Sequence, residues 1–454
     1  MTDLNLWIPK VLAAHQNWMS QFGEYAEHPS LQVRDGSLEN ALYELQGRLT
    51  NNFPFGHPNY VGQMLKPPHP VAILGYLSAM LINPNNHALD GGPATAEMEK
   101  SVVARLAKMF GFENHLGHLT SSGTIANLEA LWVARESHPG KRIAYSADAH
   151  YTHSRMCGVL GVEGVKVSVD SNGRMDLGAL ESELKTGTIG TVVATLGTTG
   201  LGALDPLPEI VRLARAYGSR VHLDTAYGGF YALIANDSPT GVASAPYRSI
   251  SMVDSIVVDP HKHGLQPYGC GAVLFADPSV GRHYKHDSPY TYFSSDELHL
   301  GEISLECSRA GAAAAALWLT LEVLPLNESG LGQELSVNRA GALEWAQLLR
   351  ESTVLVPYQT PELDIVTYFP NRTSMSAVSA ASQRLFDVAG NLPAEQQLHL
   401  ATYVVSADAL LLRGHQLIRD TEQVKIIRST VMKPESAARI AQIHAALEEI
   451  ARDL

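Results

Sequence analysis

Helical segments and short apolar segments alternate through the middle of this chain of 454 residues. Two stretches with clear helical spacing lie at 94–110 and 207–216. The apolar segments have the length and composition of buried strands, and they lie at 143–145, 191–196, 220–224, 255–258 and 272–275. Such alternation predicts a largely parallel sheet with helices on both faces and with ligands at the carboxyl ends of the strands. We therefore expect an α/β fold.

A lysine follows one of these predicted strands. Lys262 comes after Asp259, Pro260 and His261, directly beyond the apolar segment 255–258. A lysine amine attacks an aldehyde effectively when it is held, partly desolvated, beside a group that stabilises the resulting imine. A His-Lys pair at a strand end is more often a surface feature, so the residues at the other strand ends decide between these interpretations.

Asp224 ends the predicted strand at 220–224, and small residues that include Ala226 follow it. A carboxylate beside a pyridine nitrogen keeps that nitrogen protonated, which makes the ring an electron sink. The glycines at 228 and 229 leave room for a flat ring against the backbone. Asp224 is therefore a candidate partner for a pyridine ring, although an Asp at a strand end is more often a helix cap.

A run of small residues stands before the helical pattern at 128–135, and it includes Ser122, Gly123 and Thr124. The start of a helix exposes free N–H groups and the positive end of the helix dipole, and both attract phosphate. An ordinary N-cap has the same sequence. The phosphate interpretation is favoured because the lysine and the aspartate follow.

Two further polar residues follow predicted strands. His150 lies shortly after 143–145, and Thr199 lies in a Gly-Thr-Thr sequence after 191–196. An imidazole can stack on a flat ring, and a threonine at a strand end can reach the edge of that ring. Neither residue is specific alone, but the five features are specific together. Along the chain their order is the Ser-Gly-Thr turn, His150, the Gly-Thr-Thr sequence, Asp224 and Lys262.

In this combination the chain resembles the group II pyridoxal-phosphate-dependent amino-acid decarboxylases of aminotransferase fold type I. The sequences VATLGTTG, HLDTAYGG and DPHK stand at the matching places, and the resemblance covers most of the chain. Asp259 stands where aromatic-amino-acid and glutamate decarboxylases usually carry Asn. That residue and the segment 304–311 are more similar to the short tyrosine/aspartate decarboxylase-type branch.

The resemblance implies a large cofactor domain with a mainly parallel sheet and a small C-terminal α/β domain. It also implies pyridoxal 5'-phosphate as the cofactor, with Lys262 as the Schiff-base lysine. Asp224 is then the partner of the pyridinium nitrogen, and His150 is the stacking residue. The residues expected to hold the phosphate or to line the cofactor are Ser122, Gly123, Thr124, His261, Thr199 and Ala226.

Substrate recognition is less well defined by the sequence. The resemblance makes Arg309 a candidate to anchor a substrate carboxylate, although a helix-start arginine is an equal alternative. His263 and Asn86 are further candidates for the substrate pocket. Tyr290 is a candidate proton donor after loss of carbon dioxide, but Tyr292 and Lys262 remain alternatives.

Composition excludes several other functions. The formal charge of −13 argues against nucleic acid or an anionic membrane as a partner. Three scattered cysteines do not form a disulfide framework, so we expect a reducing, cytoplasmic location. Residues 1–20 lack the pattern of a signal peptide, and no apolar run is long enough to span a membrane. No histidine pair has the context of a zinc site, so we expect no metal.

We expect an N-terminal helical arm at 1–80, a large pyridoxal-phosphate-binding domain at 81–330 and a small domain at 331–454. By resemblance, the protein is expected to be a homodimer with its active site at the interface. Decarboxylation of an L-amino acid to the amine and carbon dioxide is the favoured function. A carbon–carbon lyase of the sphingosine-phosphate lyase type and an aminotransferase remain alternatives. The intact set of Lys262, Asp224 and His150 argues against a non-catalytic binding protein on this fold.

Overall fold

The computed structural model describes residues 3–284 and 299–454. The first three α-helices of the described chain are α1 (Leu4–Met19), α2 (Asp35–Leu49) and α3 (Pro70–Met80). α1 and α2 contain no buried residue, whereas α3 buries Ala72, Leu74 and Ala79. Because helices in proteins depend mainly on the packing of one face, α1 and α2 gain little stability within a single chain.

A seven-stranded sheet with surrounding helices forms the centre of the molecule. Its strands are β1 (Leu116–Thr120), β2 (Arg142–Ser146), β3 (Gly164–Val167), β4 (Ile189–Thr195), β5 (Arg220–Asp224), β6 (Ser255–Val258) and β7 (Gly271–Phe275). The helices of this region are α4 (Pro93–Phe110), α5 (Gly123–Ser137), α6 (Thr152–Leu160), α7 (Leu177–Leu184), α8 (Leu207–Ala216), α9 (Ser244–Arg248) and α10 (Gly311–Val323).

The strand order of this sheet is β1-β7-β6-β5-β4-β2-β3. β7 is antiparallel to both of its neighbours, and the other neighbouring pairs are parallel. Every residue of β4 and β6 is buried, as expected for strands that helices cover on both faces. The predicted α/β fold with a mainly parallel sheet is confirmed. The carboxyl ends of β4, β5 and β6 therefore lie side by side.

Each of the five predicted apolar segments forms a strand of this sheet, namely β2, β4, β5, β6 or β7. β1 and β3 were not predicted. β1 contains Gly117 and His118, and β3 is a short edge strand with exposed residues, so neither has a continuous apolar sequence. α10 ends at Val323, shortly before Pro325, which disfavours helical geometry in the residue that precedes it.

A second sheet has four antiparallel strands in the order β10-β11-β9-β8. Its strands are β8 (Leu355–Pro357), β9 (Ile365–Pro370), β10 (Ala401–Ser406) and β11 (Gln423–Thr430). The helices of this region are α11 (Leu331–Glu351), α12 (Met375–Gly390), α13 (Ala407–Leu412), α14 (Pro434–Ala437) and α15 (Ile440–Arg452). The fully buried Trp345 of α11 packs on Tyr368 of β9, with 5.4 Å between the ring centroids.

Part of the predicted arm packs on this second sheet. The N–H of Val61 donates to the carbonyl oxygen of His399 at 3.0 Å, and the N–H of Thr430 donates to that of Val61 at 2.9 Å. The division of the chain at 80 and 330 stays a prediction. None of the described helices is long and apolar enough to cross a membrane.

Candidate active site

A cavity of about 190 Å³ lies where β4, β5 and β6 end and α5 begins. Neighbouring parallel strands end at the same edge of a sheet, and this geometry brings distant sequence segments together. The predicted cofactor residues all line the cavity, and they are Ser122, Gly123, Thr124, His150, Thr199, Asp224, Ala226, His261 and Lys262. The sequence did not predict the other lining residues, which are Asn127, Thr152, Thr195, Gly197, Tyr227 and Asp259.

The start of α5 forms one wall of the cavity. Ser122 is the N-cap, and its side chain accepts a hydrogen bond of 3.3 Å from the N–H of Ile125. The other N–H groups of the first turn have no acceptor within the helix. A side chain at Gly123 has no space, because a Cβ there would lie 2.6 Å from Oδ1 of Asp259. This turn therefore offers backbone donors to an anion in the cavity.

Asp224 is held by a buried histidine. Nε2–H of His153 donates to Oδ2 of Asp224 at 2.9 Å, and the N–H of Ala226 donates to Oδ1 at 3.0 Å. Burial alone would raise the pKa of Asp224, but these hydrogen bonds outweigh it and hold the pKa well below its usual range. Asp224 is therefore a carboxylate at neutral pH, as a partner for a pyridinium nitrogen must be.

A second buried histidine connects β5 with α5. His222 donates from Nε2–H to Oδ1 of Asn127 at 2.9 Å, and its Nδ1 accepts from the hydroxyl of Ser255 at 2.9 Å. Asn127 in turn donates to the carbonyl oxygen of Gly123 at 2.8 Å. Burial lowers the pKa of His222 to about 3, so this imidazole is neutral. The chain of hydrogen bonds fixes the start of α5 relative to Asp224 on the same strand.

His150 presents a neutral ring to the cavity. Its Nδ1 lies 2.6 Å from the hydroxyl of Thr152 and also accepts the N–H of Thr152 at 3.3 Å. Since Nδ1 accepts these bonds, the ring proton lies on Nε2. Burial lowers the pKa of His150, with Lys262 adding to the effect and Asp224 opposing it. A flat uncharged ring of this kind is suited to stacking on an aromatic cofactor.

Lys262 lies beside a buried carboxylate. Its Nζ is 3.1 Å from Oδ2 of Asp259, and Nε2 of His261 is 3.4 Å from the same oxygen. Burial acts to raise the pKa of Asp259, but Lys262 and His261 outweigh burial and lower it. The lysine is therefore fixed at the cavity wall next to the start of α5.

Two residues at the second sheet, Arg428 and Asp364, reach this cavity wall. Nη2 of Arg428, on β11, donates to the carbonyl oxygen of Thr199 at 2.7 Å, and its Nε donates to that of Gly200 at 3.1 Å. The hydroxyl of Tyr227 donates to Oδ1 of Asp364 at 2.6 Å. These bonds fix two cavity-lining segments against the second sheet.

Several buried polar atoms around the cavity have no hydrogen-bond partner within the described residues. They are Oγ1 of Thr195, Oδ1 of Asp259 and Nδ1 of His261. Buried polar atoms in proteins are almost always paired, so their presence here favours a polar ligand. An amine, a carboxylate and an anion-binding turn together fit pyridoxal phosphate, which has an aldehyde, a ring nitrogen and a phosphate.

Comparison with known proteins agrees with this chemistry. Residues 29–328 match the family model described as the pyridoxal-dependent decarboxylase conserved domain. The chain belongs to the pyridoxal-dependent decarboxylase family. It is accordingly a pyridoxal-phosphate-dependent carboxy-lyase that acts on an amino acid, and the expected family, cofactor and reaction are confirmed.

Curated relatives are named for two substrates. The chain is 27% identical to an L-tyrosine decarboxylase of Enterococcus faecium, with 83% of this chain and 81% of the relative covered. It is also 27% identical to an L-aspartate decarboxylase of Thermococcus kodakarensis, with 74% and 85% covered.

Solved structures show the same fold. A crystal structure of mouse CSAD is similar with a TM-score of 0.81 at 21% identity, covering 94% of this chain and 93% of that one. A crystal structure of Oryza sativa TDC with PLP and tryptamine has a TM-score of 0.81 at 16% identity and covers 98% of both chains. At these identities the likeness establishes the fold, and fold type I is confirmed.

The three predicted substrate-binding residues, Arg309, Asn86 and His263, do not line the cavity at the ends of β4, β5 and β6. Arg309 forms an ion pair with the buried Glu99 and donates to the carbonyl oxygens of Leu119 at 2.9 Å and Asn86 at 3.1 Å. The Nδ2 of Asn86 donates to Glu99 at 2.6 Å. The polar groups of Arg309 and Asn86 are thus used in this buried cluster, and their part in substrate binding stays a prediction.

His263, the third residue predicted to bind substrate, also lies away from the cavity wall. Its side chain is fully buried, between the rings of Tyr227 and Tyr231, and Nε2 lies 3.4 Å from Oδ2 of Asp364. The chain turns after Lys262, so the next side chain points into the protein interior. Tyr290, the predicted proton donor, lies outside the described residues.

Proposed function

We propose that Lys262 binds the cofactor aldehyde covalently and that the start of α5 binds the cofactor phosphate. The observation that carries this proposal is the common cavity of Lys262, Asp224 and the Gly123 turn. The lysine amine, the carboxylate and the free N–H groups are held in place by buried neighbours. The matching groups of pyridoxal phosphate are the aldehyde, the ring nitrogen and the phosphate.

When bound, pyridoxal phosphate supplies a ring that accepts the electron pair released by loss of carbon dioxide. Asp224 holds a proton on the ring nitrogen, and its carboxylate charge is maintained by His153. His150 packs its neutral ring against the cofactor without adding a charge that would compete with Asp224. Lys262 is placed to release the cofactor to an amino-acid substrate and to take it back after the amine forms.

Burial around the cavity supports this mechanism. Asp224 is 5% exposed and His153 is fully buried, so water does not compete for the bond between them. Hydrogen bonds to charged groups are strengthened where water is excluded. The electrostatic stabilisation of the ring nitrogen is therefore already organised before a substrate enters.

We infer that the substrate is an L-amino acid of the kind used by the curated relatives. L-Tyrosine and L-aspartate are accordingly the first substrates to test. The two differ in charge, so the substrate pocket has to distinguish a phenol from a carboxylate.

We also propose that the chain acts as a homodimer in the cytoplasm, with the active site at the interface. α1 and α2 expose many large apolar side chains, among them Trp7, Trp18, Leu38, Leu42 and Tyr43. Exposed apolar surface of this extent is typical of an interaction site.

The cytoplasmic location is supported by Cys157 and Cys270, which are buried and unpaired.

The test is product analysis with the cofactor-loaded protein and a panel of L-amino acids. We expect a primary amine and an equal amount of carbon dioxide, both lost in Lys262→Ala. The matched control is Lys185→Ala, because Lys185 is exposed and pairs only with Glu181 among the described residues. Formation of a keto acid or a cleaved aldehyde would contradict the decarboxylation proposed for this site.

A further inference from the structure

Asp259 is a buried carboxylate beside the turn proposed to bind phosphate. It is 3% exposed, and its Oδ2 lies near Nζ of Lys262 and Nε2 of His261, at 3.1 and 3.4 Å. Its Oδ1 has no hydrogen-bond partner in the described part of the chain. Within the described residues, Oδ2 therefore lies near the nitrogen atoms of Lys262 and His261, whereas Oδ1 accepts no hydrogen bond.

The carboxylate also touches the first residue of α5. A Cβ built on Gly123 would lie 2.6 Å from Oδ1 and 2.7 Å from Oδ2 of Asp259. A phosphate held by the N–H groups of this turn therefore has the carboxylate as a close neighbour. Two negative charges that share a buried site repel each other strongly, because water and salt screen them weakly.

The ionisable groups around Asp259 determine how this repulsion is relieved. Burial acts to raise its pKa, and Lys262 and His261 on the same turn oppose burial and keep the pKa low. A phosphate adds negative charge and shifts the balance toward the neutral carboxyl. His150, Tyr268 and Cys270 also interact electrostatically with Asp259 among the described residues.

We propose that Asp259 takes up one proton from solvent when the phosphate of the cofactor binds. This inference rests on the proposed function, because it requires the phosphate to bind at the start of α5. The carboxylate becomes a neutral carboxyl group, and no bond to the cofactor forms or breaks. Cofactor affinity then falls as the pH rises, by up to about tenfold per pH unit, which is the limit for one coupled proton.

The test compares the binding of pyridoxamine 5'-phosphate by the wild type and by Asp259→Asn across a range of pH. This probe carries the phosphate but has no aldehyde, so covalent attachment to Lys262 does not contribute. We expect the ratio of the wild-type to the variant Kd to rise between about pH 5.5 and about pH 8, by up to about tenfold per pH unit. The control Asp408→Asn removes an exposed carboxylate on α13 and should follow the wild type.

Calorimetry in two buffers of different ionisation enthalpy measures the coupled proton directly. The wild type should take up about one proton more than Asp259→Asn on binding the probe. If Asp259→Asn does not fold, Asp259→Ser replaces it in both comparisons. A ratio of dissociation constants that stays constant with pH, with no difference in proton uptake, overturns the proposal. Failure of the wild type to bind either this probe or pyridoxal phosphate would instead contradict the proposed function.

Discussion

His153 and Asp224 form a buried hydrogen bond of 2.9 Å beneath the cavity. The two residues are far apart in the sequence, on α6 and at the end of β5, and both are inaccessible to bulk water. The bond gives Asp224 a depressed pKa in spite of its burial. His153 is therefore a positioning residue for the pyridinium partner, with no contact to the cofactor required of it.

Removal of this histidine is expected to shift the pH profile of the enzyme. In His153→Leu, the charged carboxylate of Asp224 loses a hydrogen bond. Hydrogen bonds to charged groups are worth about 1.5–3 kcal/mol, or about tenfold to a hundredfold in activity. The pKa of Asp224 rises, so the carboxylate is lost at a higher pH and the acid limb of kcat moves upward. Steady-state kinetics across pH measure this effect.

The matched control for that experiment is His138→Leu. His138 is partly buried and bonds the carbonyl oxygen of Gly190 at 2.7 Å, away from the cavity. The acid limb of the kcat profile of His138→Leu should coincide with that of the wild type. An unchanged acid limb in His153→Leu would remove the role assigned to His153.

Gly123→Ala is expected to weaken cofactor binding. The added methyl group would lie 2.6 Å from Oδ1 of Asp259, and overpacking of this kind costs about 1–3 kcal/mol. The start of α5 has to shift, so we expect the cofactor Kd to rise at least about tenfold. Titration followed by cofactor absorbance measures the change. Gly158→Ala on α6 is the control, because a methyl group there meets no atom within 4 Å.

Arg428→Gln is expected to loosen the contact between the cavity-lining turn at Thr199 and the second sheet. The guanidinium is largely buried, and its bonds to the carbonyl oxygens of Thr199 and Gly200 are lost or weakened. We expect a lower melting temperature and weaker cofactor binding, since each bond to a charged group is worth about 1.5–3 kcal/mol. Arg419→Gln, on the surface, should change neither quantity. Equal effects of the two substitutions would count against the role of Arg428.

Asp364 is expected to make the free energy of unfolding depend on pH. Burial raises its folded-state pKa to about 6, from a usual value near 3.8. A raised folded-state pKa stabilises the fold below the unfolded-state pKa, and this contribution is lost as the pH rises toward about 6. The loss is of the order of 3 kcal/mol. Denaturant unfolding of the wild type and Asp364→Asn between about pH 4.5 and pH 7 tests this, and parallel curves would contradict it.

The sequence predicted five of the seven strands of the central sheet. Lys262 and Asp224 were identifiable because each follows an apolar segment, and strand ends of a parallel sheet meet at one edge. β1 and β3 were missed because β1 has Gly117 and His118 at its centre and β3 is a short edge strand with exposed residues. Burial alone does not make a strand identifiable, since β1 is as buried as β2.

Contacts between distant segments could not be predicted in the same way. Arg428 and Thr199 are 229 residues apart, and nothing in the local sequence of either indicates the other. Arg309 and His263 were predicted to bind substrate from residue type and position in a motif. Arg309 instead pairs with the buried Glu99, and the ring of His263 is buried near Asp364; this packing is visible only in three dimensions.

The most direct test of the account is to locate the covalent attachment of the cofactor. The holoenzyme is treated with borohydride, digested and examined by peptide mass spectrometry, with Lys262→Ala treated in parallel. The account predicts a pyridoxyl group on Lys262 and none in the variant. Attachment at another lysine, or unchanged labelling of the variant, would contradict the assignment of this cavity as the active site.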